Sequence, residues 1–162
     1  MTTFAVTSVS SLLCHAATPA DVQLTMHVFQ KYNISNRVEI VEDGAEALDF
    51  LFHTGPYTDR DERPKVVLLD LKLPRVSGLE VLRQIRADPQ TRKLPVVVLT
   101  SSREDVDIEK CYELGVNSYI VKPVDFAQFG DAIRQLGLYW LVLNQSPSDK
   151  SVSESPAETT GR

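Results

Sequence analysis

The chain has 162 residues, 43% of them hydrophobic and 24% charged, with 22 acidic against 17 basic side chains and a formal net charge of -5. That length suits one compact domain with a sizeable core, and it excludes a multidomain enzyme, a disordered chain and a disulfide-stapled miniprotein. The acidic balance argues against general nucleic-acid or anionic-membrane binding, which calls for a basic excess. Residues 1-20 carry no Asp, Glu, Lys or Arg. A secretion signal needs a basic start, but the first basic residue is Lys31, and six Ser and Thr residues dilute the apolar run. Val9 to Cys14 therefore reads as a buried strand, and the protein as cytoplasmic. Cys14 and Cys111 form no metal or disulfide pattern and suit a reducing compartment.

Further along, Thr18-Pro19-Ala20-Asp21 opens a helix: Thr18 can cap, Pro19 fits the first helical position and Asp21 favours the positive end of the dipole. Val22, Met26 and Phe29 continue its apolar stripe. Arg37 to Val41 alternates as a strand, and Asp43-Gly44 starts a helix with Ala47, Leu48, Leu51 and Phe52 on one face. A long polar loop from Thr54 to Pro64 precedes Val66-Val67-Leu68-Leu69, a strand apolar on both faces and so central in a parallel sheet. Ser77 and Glu80 have capping-box spacing, with Leu79, Leu82 and Ile85 behind them. Val96 to Leu99 is the next strand, Asp105 to Leu114 a helix, Tyr119 to Val121 a fifth strand. Asp125 to about Asn144 is a last helix with Phe126, Phe129, Ile133 and Leu136 inward.

Five such units predict an α/β fold, a doubly wound five-stranded parallel sheet in the flavodoxin-like order 2-1-3-4-5, with helices on both faces. The domain is expected over residues 1-144. The Ser- and Pro-containing segment 145-162, without an aromatic residue, reads as a disordered tail.

Sites in such sheets lie at the carboxyl ends of the strands. Asp70 directly follows Val-Val-Leu-Leu, Thr100 follows Val-Val-Val-Leu, and Lys122 follows Ser-Tyr-Ile-Val. A carboxylate, a hydroxyl and an ammonium on one rim are the parts needed to accept a phosphoryl group: the first attacks, the others bind the transferred oxygens. Each residue has a plainer role available. Asp70 could begin a turn, Thr100 cap a helix, and Lys122 be solvated. Their joint order on successive strand ends favours the site.

The segments VVLLDLKLPRVSG, PVVVLTSS and SYIVKP resemble the receiver domains of bacterial two-component response regulators. The resemblance covers about residues 8-144. It implies that Asp70 is the phosphoacceptor, Thr100 the switch hydroxyl, Lys122 the phosphate-binding lysine and Tyr119 the aromatic switch residue. Lys72 and Ser102 would border the hydrolytic water, and the Lys122-Pro123 bond would be cis. The partner would be a sensor histidine kinase, with signalling through the surface of the fourth helix, fifth strand and fifth helix. The long Thr54-Pro64 loop and the closing LGLYWLVLN are similar to single-domain regulators paired with phytochrome-type kinases, including bacteriophytochromes, which lack a DNA-binding output domain. A homodimer through Leu138, Tyr139, Trp140 and Val142 is implied. The alternative is that Trp140 folds back onto the domain's own core. Neither nucleic acid nor membrane is an expected partner, and the chain is not expected to be an enzyme.

One departure stands out. Receiver domains end the first strand with two adjacent acids that hold Mg2+ beside the phosphoacceptor, whereas this chain reads His15-Ala16-Ala17-Thr18-Pro19-Ala20-Asp21. With Ala16 and Ala17 in the acidic positions, the metal set implied by the family reduces to Asp70 and the backbone carbonyl of Lys72, a poor site for an ion that prefers several oxygens. Asp21 reads as a helix-start residue a turn beyond the rim, His15 as packed beside the strand, and Asp43 as a helix cap. The expectation is a receiver with impaired Mg2+-dependent phosphotransfer, the alternative a phosphorylation-independent pseudo-receiver that binds its partner constitutively. Other chemistries on this fold fit poorly. No glycine loop follows the first strand for a flavin phosphate, no second Asp lies two residues after Asp70, and no Arg lies six after Cys14.

Overall fold

The protein is described by a computed structural model over residues 11-14, 19-34 and 37-144. Readings that fall on Val9, Ser10, His15, Ala16, Ala17, Thr18 and the segment 145-162 lie outside the described residues. Strands β1 (Ser11–Cys14), β2 (Val38–Val41), β3 (Val67–Leu69), β4 (Val96–Thr100) and β5 (Ser118–Val121) alternate with helices α1 (Pro19–Lys31), α2 (Gly44–Phe52), α3 (Gly78–Ala87), α4 (Asp105–Glu113) and α5 (Phe126–Gly137). All strand pairs are parallel, and the sheet runs β2-β1-β3-β4-β5. This is the flavodoxin-like alternation of parallel strands and helices.

Burial explains the layers. Successive side chains of a strand point to opposite faces. Val67 and Leu69 of β3 and Val96 and Val98 of β4 join one cluster with Ala47, Phe50, Leu51, Val81, Leu82 and Ile85. Val66, Leu68, Val97 and Leu99 join the other with Leu24, Val28, Phe29, Ile133 and Leu136. The two central strands are thus apolar throughout because both faces are covered. The start of β4 is braced by Arg86, which donates to the carbonyls of Leu94 (2.7 Å) and Gly115 (2.9 Å) and to Asn117 Oδ1 (2.9 Å). Asn117 Oδ1 in turn accepts from the Val96 N–H at 2.8 Å.

Several inward positions differ from the sequence pattern. On α1, Met26 is exposed (41%) while Leu24, Thr25, Val28 and Phe29 are buried, because the helix packs along α5 on one flank and the sheet on the other. Thr25 is accommodated there by donating its hydroxyl to the Asp21 carbonyl at 2.9 Å. Phe50 and Val81 are fully buried, whereas Leu48, Phe52 and Leu79 are partly so. Phe126, in the first turn of α5, is 63% exposed.

The last helix also changes character. Its α-helical part ends at Gly137, and Leu138–Leu143 forms a π-helical turn, closed by the Asn144 N–H on the Tyr139 carbonyl at 2.7 Å. Gly137 passes so close to α1 and the turn after it that a Cβ there would lie 2.8 Å from Phe29 Cε1 and 2.6 Å from Ile34 Cδ1. The widened turn sends Leu141 inward and leaves Tyr139, Val142 and Leu143 exposed. Trp140 is partly buried against the core cluster of α1 and α5, and Leu138 is half-buried. The polar loop after α2 folds back through one 3-10 turn, Gly55–Tyr57. The Tyr57 hydroxyl donates to Glu46 Oε1 at 2.7 Å, and burial with this carboxylate pushes the phenol up to about 12.

Candidate functional site

Asp70 emerges where β3 stops. Its side chain is only 8% exposed, with Oδ1 accepting from the Lys72 N–H at 3.0 Å and Oδ2 from Lys122 Nζ at 3.1 Å. The loop that follows turns back at once, and the Gly78 N–H donates to the Leu71 carbonyl at 3.0 Å. A Cβ at Gly78 would stand 2.1 Å from the Asp70 carbonyl oxygen, so this close approach requires glycine. Gly44 plays the same part from β2: its N–H donates to Pro74 O, and a Cβ would meet Val76 O at 1.9 Å. Asp43, capping α2 through the Glu46 N–H, also pairs with Arg75 at 3.1 Å. The capping bond, aided by Arg75, holds the Asp43 carboxyl below the usual carboxylate range. The cap reading of Asp43 stands, and Ser77 likewise accepts from Glu80 N–H at the start of α3.

Lys122 arrives from the strand at the sheet's far side. Its N–H donates to the Thr100 carbonyl at 2.7 Å, extending the β4–β5 ladder by one residue. Its side chain, 14% exposed, is thereby aimed across the rim at Asp70. Removing Lys122 would leave the buried Asp70 carboxylate without its cation, a destabilising change. Thr100 is fully buried on the intervening strand, with Oγ1 accepting from the Ser102 N–H at 3.4 Å. A carboxylate, an ammonium and a hydroxyl thus converge on one rim. The carboxylate can attack an electrophilic phosphorus while the ammonium holds anionic oxygens.

Asp21 enters this constellation, which its place in the sequence did not announce: its Oδ2 lies 4.0 Å from Lys122 Nζ. Helix geometry accounts for the approach once α1 is packed in place. Side chains in a helix tilt toward its N-terminus, so a carboxylate in the first turn of α1 leans back toward the rim. Ser102 follows Thr100 by two residues and donates its N–H to the Thr100 hydroxyl oxygen. It is buried, with its hydroxyl donating to Asp107 Oδ2 at 2.6 Å. Lys72 is exposed on the outer side, and so is Ser101. Tyr119 is half-buried against the core and donates its hydroxyl to the Ser102 carbonyl at 3.0 Å. Burial raises the phenol above its ordinary value. The expected cis bond is corrected: no described peptide bond is cis, Lys122-Pro123 included, and trans is the form a prolyl bond intrinsically favours.

The donor set can be tested against a divalent ion. Among the described residues no three His, Cys, Asp or Glu side chains are grouped to hold a metal. Both Asp70 oxygens already accept hydrogen bonds. Positions 16 and 17, outside the described residues, are alanines without side-chain oxygen. These residues do not fit a site built from several carboxylates.

Comparison with known proteins agrees with the geometry. The family profile described as "Response regulator receiver domain" matches residues 18–134. The response regulator Rcp1 of Synechocystis sp. is 36% identical over 122 residues, 75% of this chain and 82% of that protein. The crystal structure of its Mn2+-bound form superposes with a TM-score of 0.79 at 33% identity, over 85% of this chain and 99% of the other. The phosphorylated cyanobacterial phytochrome response regulator RcpA gives 0.79 at 33% identity, covering 85% and 98%. The bacteriophytochrome response regulator RtBRR is 50% identical, with a TM-score of 0.66 and coverage of 86% and 84%.

Proposed function

The chain belongs to the response regulator receiver family, and from that premise we propose that it accepts a phosphoryl group on Asp70 from a sensor histidine kinase. The observation that carries the proposal is the Asp70–Lys122 pair at 3.1 Å, on a rim shared with buried Thr100. In the proposed reaction an Asp70 carboxylate oxygen attacks phosphorus. The phosphorus–nitrogen bond of the kinase phosphohistidine breaks, and its electron pair returns to the imidazole. Lys122 exchanges its contact with the carboxylate for one with the new phosphoryl oxygens. Thr100 Oγ1 donates to another, and Tyr119 reports the change to the face of α4, β5 and α5.

Similarity to RtBRR and RcpA supports a phytochrome-type kinase as the donor. The exposed Tyr139 and Val142 support a homodimer face, with Leu138 and Trp140 beneath it. The receiver unit is assigned to residues 1-144 and the segment 145-162 to a tail. With alanines at 16 and 17, magnesium binding and transfer are weakened in this proposal. A constitutive, phosphorylation-independent module is the second reading, and the same alanine pair favours it.

Incubation with acetyl phosphate, with and without Mg2+, tests both. Slow labelling of Asp70 with weak magnesium dependence is expected, absent in Asp70→Asn and accelerated with tighter Mg2+ binding in Ala16→Glu/Ala17→Asp. Fast magnesium-dependent labelling of the unaltered chain would overturn the impairment. Absence of labelling, together with partner binding that persists in Asp70→Asn, would establish the constitutive reading instead.

A further inference from the structure

Four polar contacts meet at Ser102, two residues beyond Thr100. Its N–H donates to Thr100 Oγ1 (3.4 Å) and its carbonyl accepts from the Tyr119 hydroxyl (3.0 Å). Its own hydroxyl donates to Asp107 Oδ2 (2.6 Å) and accepts from the Glu104 N–H (3.4 Å). Ser102 is buried while Ser101 and Arg103 on either side are exposed, so the chain turns this one residue inward. The N-cap position of α4, Glu104, makes no side-chain capping bond. The Ser102–Asp107 bond therefore ties the first turn of α4 to the end of β4. A hydroxyl donating to a carboxylate is about twice as strong as a neutral pair, and here the donor side is buried.

We infer that Ser102 and Asp107 form a latch that holds the loop between β4 and α4 against Tyr119, so that the first turn of α4 and the tyrosine ring move as one unit. This rests on reading Thr100 and Tyr119 as the switch pair, and it adds the part that joins them. Both groups are bound through one residue, Thr100 at its N–H and Tyr119 at its carbonyl. When the Thr100 hydroxyl is drawn toward a phosphoryl oxygen, the Ser102 N–H loses its acceptor. Whether the carbonyl then follows depends on the grip of Asp107 on the hydroxyl. Ser102 and Asp107 are positioning residues, acting on Tyr119 through the loop and touching no phosphoryl oxygen.

The test uses the full chain labelled with fluorotyrosine, without any phosphodonor. The Tyr119 19F resonance is assigned by its loss in Tyr119→Phe, and its exposure is read from the H2O/D2O isotope shift. Ser102→Ala and Asp107→Ala should each move the in/out ratio of Tyr119 toward solvent by on the order of fivefold, the size of one hydrogen bond. The double variant should go no further than either single one, because both break the same link. Asp107→Asn, which still accepts from the hydroxyl, should restore most of the effect. A role for Asp107 through the helix dipole alone would not be rescued by this neutral side chain. Unchanged Tyr119 exposure in Asp107→Ala, additive effects, or an Asn variant that behaves like Ala would each overturn the latch. If Ser102→Ala does not fold, the Asp107 pair of variants decides alone. Failure of Asp70 to label would count against the phosphoacceptor reading and leave this result standing.

Discussion

A single methyl group at position 78 decides whether the loop after Asp70 can close. An alanine there places its Cβ 2.1 Å from the Asp70 carbonyl and 2.7 Å from Leu71 Cα, both of them backbone atoms that cannot rotate away. Gly78→Ala should cost about 1–3 kcal/mol or more in urea unfolding, as overpacking does, and should abolish labelling of Asp70. Gly130 makes the contrast. Its added methyl would meet Leu24 and Val28 side-chain atoms at ordinary contact, 3.6 and 3.7 Å. Gly130→Ala should therefore raise stability by up to about 1 kcal/mol through helix propensity alone. A Gly78→Ala chain as stable as the unaltered protein would show that the loop has room to spare. At this scale Asp70, Thr100 and Lys122 were legible in the amino-acid order, because each stands directly after a run of strand residues and inherits the rim from it. Asp21 and Ser102 were not. Their partners are 101 and 5 residues away respectively, Lys122 and Asp107, and only the placement of α1 and α4 against the strand ends brings the groups to face each other.

Asp43 shows how one helix end serves its neighbour. It caps α2 and reaches Arg75 in the loop that carries Lys72, an arginine held at φ 66. Removing the cap in Asp43→Ala should cost about 1 kcal/mol at neutral pH. The pH dependence has a definite sign. The folded-state carboxyl is held below its ordinary value, chiefly by the Glu46 N–H and then by Arg75. Its contribution is therefore complete above the unfolded value and is lost as pH falls through the folded one. The stability gap between the two chains should close below about pH 4, and urea unfolding at pH 7, 5 and 3 measures it. A gap that stays constant to pH 3 would refute a charge-based cap. Periodicity announces the elements where both strand faces are apolar or a capping box marks a helix start. It does not announce the end of α5: the pattern through Asn144 is helical, and the π turn follows where Gly137 crosses α1.

For the molecule as a whole, the π turn separates two uses of one apolar run. Leu141 is buried beside Leu136 and Phe29, whereas Tyr139 and Val142 are more than half exposed. Leu141→Ala should destabilise the domain by about 2–5 kcal/mol, as cavity-forming core changes do. The double change Tyr139→Ser/Val142→Ser should leave the unfolding midpoint within about 0.5 kcal/mol of the unaltered chain and weaken self-association in sedimentation equilibrium. Association untouched by it, or none in the unaltered chain, would refute the proposed dimer face. Trp140, partly buried, packs against the α1–α5 cluster beneath these exposed side chains.

Taken by itself, the order of residues determined the alternation of strands and helices, the family, and the carboxylate, hydroxyl and ammonium at the strand ends. It also supplies the alanines at 16 and 17 on which the proposal of weakened magnesium binding rests. These follow from local periodicity and from what each strand end must present. Tertiary structure decided which apolar positions are inside, that Asp21 approaches Lys122, that Ser102 faces Asp107 and Tyr119, and that Leu141 and not Val142 turns inward. The physical reason is that burial and hydrogen-bond partnership belong to surfaces brought together from distant parts of the chain. Spacing along one element can state which residues share a face, but not what that face will meet.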